Sequence, residues 1–138
     1  MKTIALIFLL SISQLFAQQQ SKNLIELSFT NQKSATGKIF LAIYDNEKSF
    51  GTPENAYLTE TFQAKNPFLA SIELKDGNYA IAVFQDINNN GKLDKNWVGI
   101  PLEPYGFSND PVIRFGPPSF NDCLLKLSGQ TKINIKLH

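Results

Sequence analysis

Apolar and polar residues alternate along most of this chain, and the period of the alternation is two residues. Between residues 23 and 30, the apolar side chains Ile25, Leu27 and Phe29 are separated by polar ones. Successive side chains of a β-strand point to opposite faces, so this pattern predicts a strand with one buried face and one wet face. Similar runs predict seven strands in all, over residues 23–30, 38–44, 57–63, 68–74, 79–85, 123–127 and 132–137.

Two of the predicted strands, 38–44 and 79–85, are apolar on both faces. Such strands are usually covered on both sides, so we expect both to be central in a sheet. The strand at 57–63 is rich in Thr and is expected to be more exposed. Residues 76–78 (Asp-Gly-Asn) predict a turn, and residues 128–130 (Ser-Gly-Gln) indicate a hairpin between the last two strands.

Strands at this spacing, with no helical periodicity beyond the first residues, predict an all-β protein. We expect residues 23–138 to form a single antiparallel β-sandwich domain of about seven strands, immunoglobulin-like or transthyretin-like. An up-and-down β-barrel is the alternative. A chain of 138 residues is long enough for one domain with its own core but too short for two ordinary ones.

The first residues predict export. Lys2 precedes an apolar run from Ile4 to Leu10, and Ala17 offers a small residue at which a signal peptidase could cleave. The apolar run is shorter than the roughly 20 residues that a membrane-spanning helix needs. We therefore expect residues 1–17 to be a signal peptide, 18–22 a flexible mature N-terminus, and the mature chain to lack a transmembrane span. The protein would then be periplasmic or extracellular.

The charge balance argues against polyelectrolyte partners. Lys and Arg number 13 and Asp and Glu number 12, so loss of Lys2 with the signal peptide leaves a formally neutral chain. Nucleic acid is therefore not an expected partner. Cys123 is the single cysteine, which excludes an intrachain disulfide. It shares strand parity with Leu125 and Leu127, and this favours a buried apolar role over a reactive thiol.

Residues 86–94 carry the clearest chemical signal, an Asp-x-Asn-x-Asn-Gly-x-x-Asp pattern typical of calcium loops. The candidate ligands are the side chains of Asp86, Asn88, Asn90 and Asp94 and the backbone carbonyl of Lys92. The twelfth position, where such loops place a bidentate Glu, is Trp97, so Glu103, Asp110 or water would have to complete the site. We expect weak, structural Ca²⁺ binding. The alternative is a plain turn made by Asx hydrogen bonds and Gly91.

Residues 97–121, which we call the wrap, contain five of the seven prolines and several aromatic residues. Their apolar content argues against disorder, so we expect the wrap to lie over an open side of the sandwich, organised by the calcium loop. Residues 112–115 are a candidate for a short strand. Trp97, Tyr105 and Phe107 are candidates for a platform that stacks on a sugar or a peptide. The alternative is that these rings form a satellite core beneath the wrap.

The sequence does not predict an enzyme. His138 is the only histidine and Cys123, expected to be buried, is the only thiol, which excludes most familiar Ser-His, Cys-His and His-ligated zinc arrangements. A carboxylate-based hydrolase would need a pair such as Glu103 with Asp110 or Asp94. The spacing does not single out either pair, so we expect a non-enzymatic protein.

Several short motifs resemble the bacterial family of exported proteins catalogued as domain of unknown function 2141. They are Gly77-Asn78-Tyr79-Ala80, the 86–94 pattern, Gly99-Ile100-Pro101, Tyr105-Gly106-Phe107-Ser108-Asn109 and Gly116-Pro117-Pro118-Ser119-Phe120. The resemblance covers nearly all of the chain beyond the signal peptide and is densest from residue 77 to 127. It implies a small exported β-sandwich and no established activity. For an exported module of this kind, the candidate partners are a glycan, a peptide or another envelope protein.

Overall fold

The computed structural model describes residues 22–32, 34–129 and 131–138. The predicted signal peptide and most of the predicted flexible N-terminus lie outside these residues. Within them the chain forms eight strands: β1 (Lys22–Thr30), β2 (Lys38–Tyr44), β3 (Leu58–Gln63), β4 (Phe68–Lys75), β5 (Gly77–Asp86), β6 (Tyr105–Phe107), β7 (Leu124–Leu127) and β8 (Thr131–Lys136). The described part of the chain has no helix long and apolar enough to cross a bilayer.

The strands form two sheets, which confirms the predicted β-sandwich. One sheet has the order β4-β1-β8, and the other has the order β3-β2-β5-β6 with β7 also paired to β5. All pairings are antiparallel except that of β1 with β8, which is parallel. The strand positions agree with those predicted from the alternation, apart from small shifts at their ends. Lys22, which we expected in the flexible N-terminus, begins β1.

The main core lies between the two sheets and consists of the apolar faces that the alternation predicted. Ile25, Leu27, Ile39, Ile43 and Ile81 are fully buried there. Burial of one such side chain contributes roughly 1.5–3 kcal/mol, so these inward faces are the main source of stability. The outward residues of β8, Lys132, Asn134 and Lys136, are exposed as predicted.

The outer face of the larger sheet is covered at one end only. There Tyr44, Ala80, Phe120 and Cys123 form a second buried cluster. Further along the same face, Phe40 and Phe84 stack with ring centroids 5.0 Å apart and stay half-buried. The prediction that β2 and β5 are covered on both sides is thus correct for part of their length.

Two local predictions are wrong. The predicted hairpin of the last two strands is wrong, because β7 pairs with β5 in one sheet and β8 pairs with β1 in the other. Gln130 of the predicted turn lies outside the described residues. Turn residues indicate where the chain bends, but they do not determine which strand each arm joins. Residues 112–115 are not a strand either.

The eighth strand, β6, was not predicted. It is only three residues long, and it pairs with β5 through Ala82 opposite Phe107 and Phe84 opposite Tyr105. Its central residue, Gly106, lies so close to the Lys136 carbonyl and the Ile135 side chain that a Cβ would overlap them. A strand this short with glycine at its centre has no alternating pattern to detect.

Candidate functional site

The candidate metal loop begins where β5 ends. Asp86 is the last residue of β5, and its side chain is fully buried. Its carboxylate accepts hydrogen bonds from the backbone N–H groups of Asn90 at 3.1 Å and Gly91 at 2.8 Å. Gly91 has a φ of 79°, which favours glycine. The first predicted ligand therefore sits at the centre of the turn and holds it closed.

The other predicted side-chain ligands meet one another above this turn. Asn88 Nδ2 donates to Asp94 Oδ2 at 2.6 Å, and Asn90 Nδ2 donates to Asp94 Oδ1 at 2.9 Å. The two amide oxygens accept from backbone N–H groups, Asn88 Oδ1 from Asn90 at 3.1 Å and Asn90 Oδ1 from Lys92 at 2.9 Å. Asn88, Asn90 and Asp94 thus converge, and Lys92 meets the same cluster through its backbone N–H and not through the carbonyl that was predicted as a ligand.

Glu103 joins this loop from the wrap. Its Oε1 accepts from the backbone N–H of Ile87 at 2.8 Å, and its Oε2 accepts from that of Asp94 at 3.0 Å. The side chain is only 7% exposed. Glu103 thereby bridges the two ends of the loop, and only its acidic character and nearness in sequence pointed to it. Asp110 has different partners, since it pairs with His138 at 2.6 Å and with Lys136 at 3.8 Å.

Asp86 and Asp94 of the loop and Glu103 of the wrap are three carboxylates that form no ion pair within the described part of the chain. Among the described residues, every ion pair involves other acids, and none joins Lys, Arg or His to Asp86, Asp94 or Glu103. Each carboxylate oxygen of the buried residues Asp86 and Glu103 accepts a hydrogen bond from a backbone N–H group. Burying a carboxylate without an opposite charge is unfavourable even when its hydrogen bonds are made.

The donor chemistry of the loop suits a hard cation, because all of its candidate ligands are oxygens. No group of three or more Asp, Glu, His or Cys side chains in the described residues is placed to hold a metal, so the amide oxygens of Asn88 and Asn90 would be needed as ligands. The side-chain NH₂ groups of Asn88 and Asn90 donate to the Asp94 carboxylate. A bound cation would take the place of these two hydrogen bonds, with the amide oxygens turned towards it. The same hydrogen bonds also satisfy a turn that holds no metal.

The wrap is attached to β5 and to the loop by backbone hydrogen bonds. The N–H of Gln85 donates to the Pro104 carbonyl at 2.8 Å, and the N–H of Ser108 donates to the Ile81 carbonyl at 2.9 Å. The N–H of Leu102 donates to the Asp94 carbonyl at 2.8 Å. Loop and wrap therefore form one surface at this edge of the larger sheet.

The structure brings together two of the three predicted aromatic ligand-binding residues. Tyr105 and Phe107 lie edge to face with ring centroids 6.1 Å apart, and both line a groove of about 420 Å³. Pro101 and Ile113 line the same groove. Trp97 does not line it, and its side chain is 95% exposed. The expectation that all three rings pack in a satellite core is therefore wrong for Trp97.

The wrap exposes much of its apolar surface, which was not expected of a segment covering a core. Phe115 is 98% exposed. The other exposed large apolar residues of the wrap are Trp97, Val98, Ile100, Leu102 and Val112. Sequence patterns do not distinguish apolar residues that cover a core from those that face solvent, because no periodicity marks either kind in irregular structure.

The carboxylates that a hydrolase would use have structural partners. Both oxygens of Glu103 accept backbone N–H groups, and both oxygens of Asp94 accept side-chain amides. Asp110 accepts a hydrogen bond from His138, which lowers the pKa of Asp110 with help from the charges of His138 and Lys136. A general acid needs a pKa raised towards neutrality, and the shift at Asp110 is in the opposite direction.

Comparison with known proteins gives one match. A family model described as an uncharacterised protein conserved in bacteria, DUF2141, matches residues 27–135. This span includes the end of β1, the whole of β2 to β7, most of β8, the loop and the wrap. Searches of curated proteins and of solved structures give no match.

Proposed function

The chain belongs to the bacterial DUF2141 family, and from that premise we propose that it is an exported, non-enzymatic module whose 86–94 loop holds Ca²⁺ as a structural ion. The ion would fix the loop and, through Glu103, the wrap. The module would then present the wrap as a recognition surface in the periplasm or outside the cell.

The observation that carries this proposal is the set of carboxylates without a paired cation, two in the loop and Glu103 in the wrap. Asp86 and Glu103 are buried, Asp94 is partly buried, and no described cation pairs with any of them. A bound Ca²⁺ would supply the missing positive charge, with Asn88 and Asn90 as the neutral oxygen donors. Two carboxylate ligands and no bidentate Glu are expected to give a dissociation constant of about 10⁻⁴ to 10⁻³ M, as in other extracellular modules.

Thermal unfolding tests the calcium proposal. At a Ca²⁺ concentration tenfold above the dissociation constant, binding to the native state alone should stabilise the protein by about 1.4 kcal/mol. We expect the melting temperature of the wild type to rise by a few degrees in Ca²⁺ relative to chelator, and to rise less in Mg²⁺, which dehydrates reluctantly.

Asp86→Asn keeps the size of the side chain and removes its charge, so this variant should lose the calcium response. Glu60→Gln, at an exposed position of β3, is the matched control and should keep it. Superimposable curves for the wild type in Ca²⁺ and in chelator would rule the calcium site out and leave the loop as a plain turn.

The groove supports a second candidate function, the binding of a glycan or peptide. Tyr105 and Phe107 present adjacent rings in a concave site, and such rings stack on sugar faces or on peptide side chains. Tyr105→Ala should abolish any hit in a glycan or peptide array, and Tyr57→Ala, at an exposed tyrosine outside the groove, should not. A hit that survives Tyr105→Ala would place the binding site elsewhere.

A further inference from the structure

The two most exposed aromatic residues in the described part of the chain, Trp97 and Phe115, are sequence neighbours of residues that line one groove. Trp97 and Phe115 are 95% and 98% exposed, so almost the whole of each ring is in water. Lys95 and Val98, which flank the first ring in the sequence, and Arg114, which precedes the second, all line this groove. We call residues 96–100 and 113–116 the two tips. We propose that the tips insert their apolar side chains into the surface of an anionic lipid bilayer.

The form of the exposed apolar surface favours lipid over a folded protein partner. Protein interfaces usually bury their anchors in pockets and present closely packed, complementary faces. Here the rings of Trp97 and Phe115 project singly from irregular loops, and no aromatic pair in the described residues includes either of them. Val98 and Ile100 extend the apolar surface of the first tip. A bilayer interface is soft and accepts such projections, and Trp in particular is favoured there.

The charges beside the tips complement an anionic surface. Lys92, Lys95 and Arg114 are exposed, and none forms an ion pair in the described structure. The acids of the same region do not pair with these cations: Asp94 and Glu103 accept hydrogen bonds from neutral groups of the loop, and Asp110 pairs with Lys136 and His138. The cations are therefore left to meet lipid phosphates, while the apolar side chains enter the interface between them.

The first tip is held in shape before it meets a partner. Asn96 Oδ1 accepts from the backbone N–H groups of Val98 at 3.1 Å and Ile100 at 2.9 Å. The Asn96 N–H in turn donates to the Ile100 carbonyl at 2.9 Å. Insertion of Trp97 would therefore require little further ordering of the backbone, and preorganisation of this kind favours binding.

Vesicle binding tests the inference, and Trp97 reports on it directly because the chain has a single tryptophan. The full mature protein is mixed with vesicles of phosphatidylcholine alone, or of phosphatidylcholine and phosphatidylglycerol in equal parts. We expect co-sedimentation and a blue shift of Trp97 emission with the anionic vesicles, and weaker binding as salt rises. Running both series in Ca²⁺ and in chelator separates this result from the fate of the calcium proposal.

Variants locate the contact. Phe115→Ser keeps the Trp97 fluorophore and should weaken vesicle binding about tenfold or more, because the variant has no phenyl ring to transfer from water into the bilayer. Lys95→Gln combined with Arg114→Gln should remove most of the preference for anionic vesicles. Leu69→Ser is the matched control: Leu69 is 75% exposed but lies on β4 in the other sheet, so this variant should bind like the wild type.

Three results would overturn the inference. The first is no binding to either vesicle, and the second is equal binding by Phe115→Ser and the wild type. The third is sedimentation of the free protein as a dimer that Phe115→Ser dissociates, because the tips would then be an interface between copies of this chain.

Discussion

Glu103 is the residue that joins the candidate metal loop to the wrap. One of its carboxylate oxygens accepts a hydrogen bond from the backbone N–H of Ile87, at the start of the loop. The other accepts from the backbone N–H of Asp94, at the end of the loop. Because these contacts need two acceptors, an amide in the same place is not equivalent to the carboxylate.

Glu103→Gln is expected to destabilise the protein by about 1–3 kcal/mol, because the new NH₂ group faces a backbone N–H that is left buried without an acceptor. Urea unfolding measures the change. Glu60→Gln, on the exposed side of β3, has the same chemistry without burial and should change stability by less than about 0.5 kcal/mol. Equal effects of the two substitutions would show that the Glu103 contacts do not contribute.

Cys123 should be unreactive in the native state. It is fully buried, and burial, with a smaller contribution from Asp122, raises the pKa of its thiol to about 12. Near pH 8 a thiol reagent is expected to modify it at least about a hundredfold more slowly than an exposed cysteine. In urea the same reagent should react with the thiol fully. Rapid native modification would contradict this buried role, which Cys123 has in the second cluster beside Tyr44 and not, as its parity with Leu127 predicted, in the main core.

At the scale of elements, the start of β2 depends on a close backbone contact with the end of β5. Gly37 has a φ of 79°, and a Cβ there would overlap the carbonyl of Asp86. Gly99 has a φ of 84°, but a Cβ on Gly99 would have no heavy atom within 4 Å outside its chain neighbours. An alanine at Gly99 would therefore introduce backbone strain alone, whereas an alanine at Gly37 would add a steric overlap to the same strain.

Gly99→Ala should cost about 1–3 kcal/mol from the positive φ alone. Gly37→Ala should cost at least about 1 kcal/mol more, because the Asp86 carbonyl or β2 must also move. Urea unfolding of both variants gives the difference, and similar values would mean that the overlap is relieved at no cost. Since Asp86 is the first candidate ligand, Gly37→Ala should also weaken any calcium response.

The strands themselves were largely predictable, but their partners were not. The alternation in β1 and β8 reflects the pleat of each strand, which is a local property. The parallel pairing of Ile25 in β1 with Thr131 in β8 depends on contacts about a hundred residues apart in the chain. The hairpin prediction at 128–130 was wrong for this reason, and β6 was missed because three residues around Gly106 carry no pattern.

At the scale of the whole molecule, β6 and the end of the chain connect the two sheets. The N–H of His138 donates to the Tyr105 carbonyl at 2.8 Å, and His138 Nε2 lies 2.6 Å from Asp110 Oδ1. Because Tyr105 belongs to the larger sheet and His138 follows β8 of the smaller one, these contacts close one side of the sandwich.

The Asp110 contacts should contribute a small, pH-dependent stability. The hydrogen bond from His138 lowers the pKa of Asp110 below its ordinary value of 3.8, so the contribution is present above that pH and is lost as pH falls through the lowered pKa. Asp110→Asn should therefore reduce the loss of unfolding free energy as pH falls below about 4. The effect is modest because the pair is partly exposed. Glu47→Gln, in the turn after β2, is the control. Its unfolding free energy should fall with pH as steeply as that of the wild type.

The sequence alone determined the positions of seven strands, the inward faces that form the main core and the loop pattern at residues 86–94. Each of these depends on spacing within one segment, where the pleat or the turn sets which side chains can meet. Only the tertiary structure decided that Glu103 and not Asp110 joins the loop, that β8 runs parallel to β1, and that Trp97 and Phe115 face solvent. These outcomes depend on which distant segments come together, and no local pattern encodes that choice.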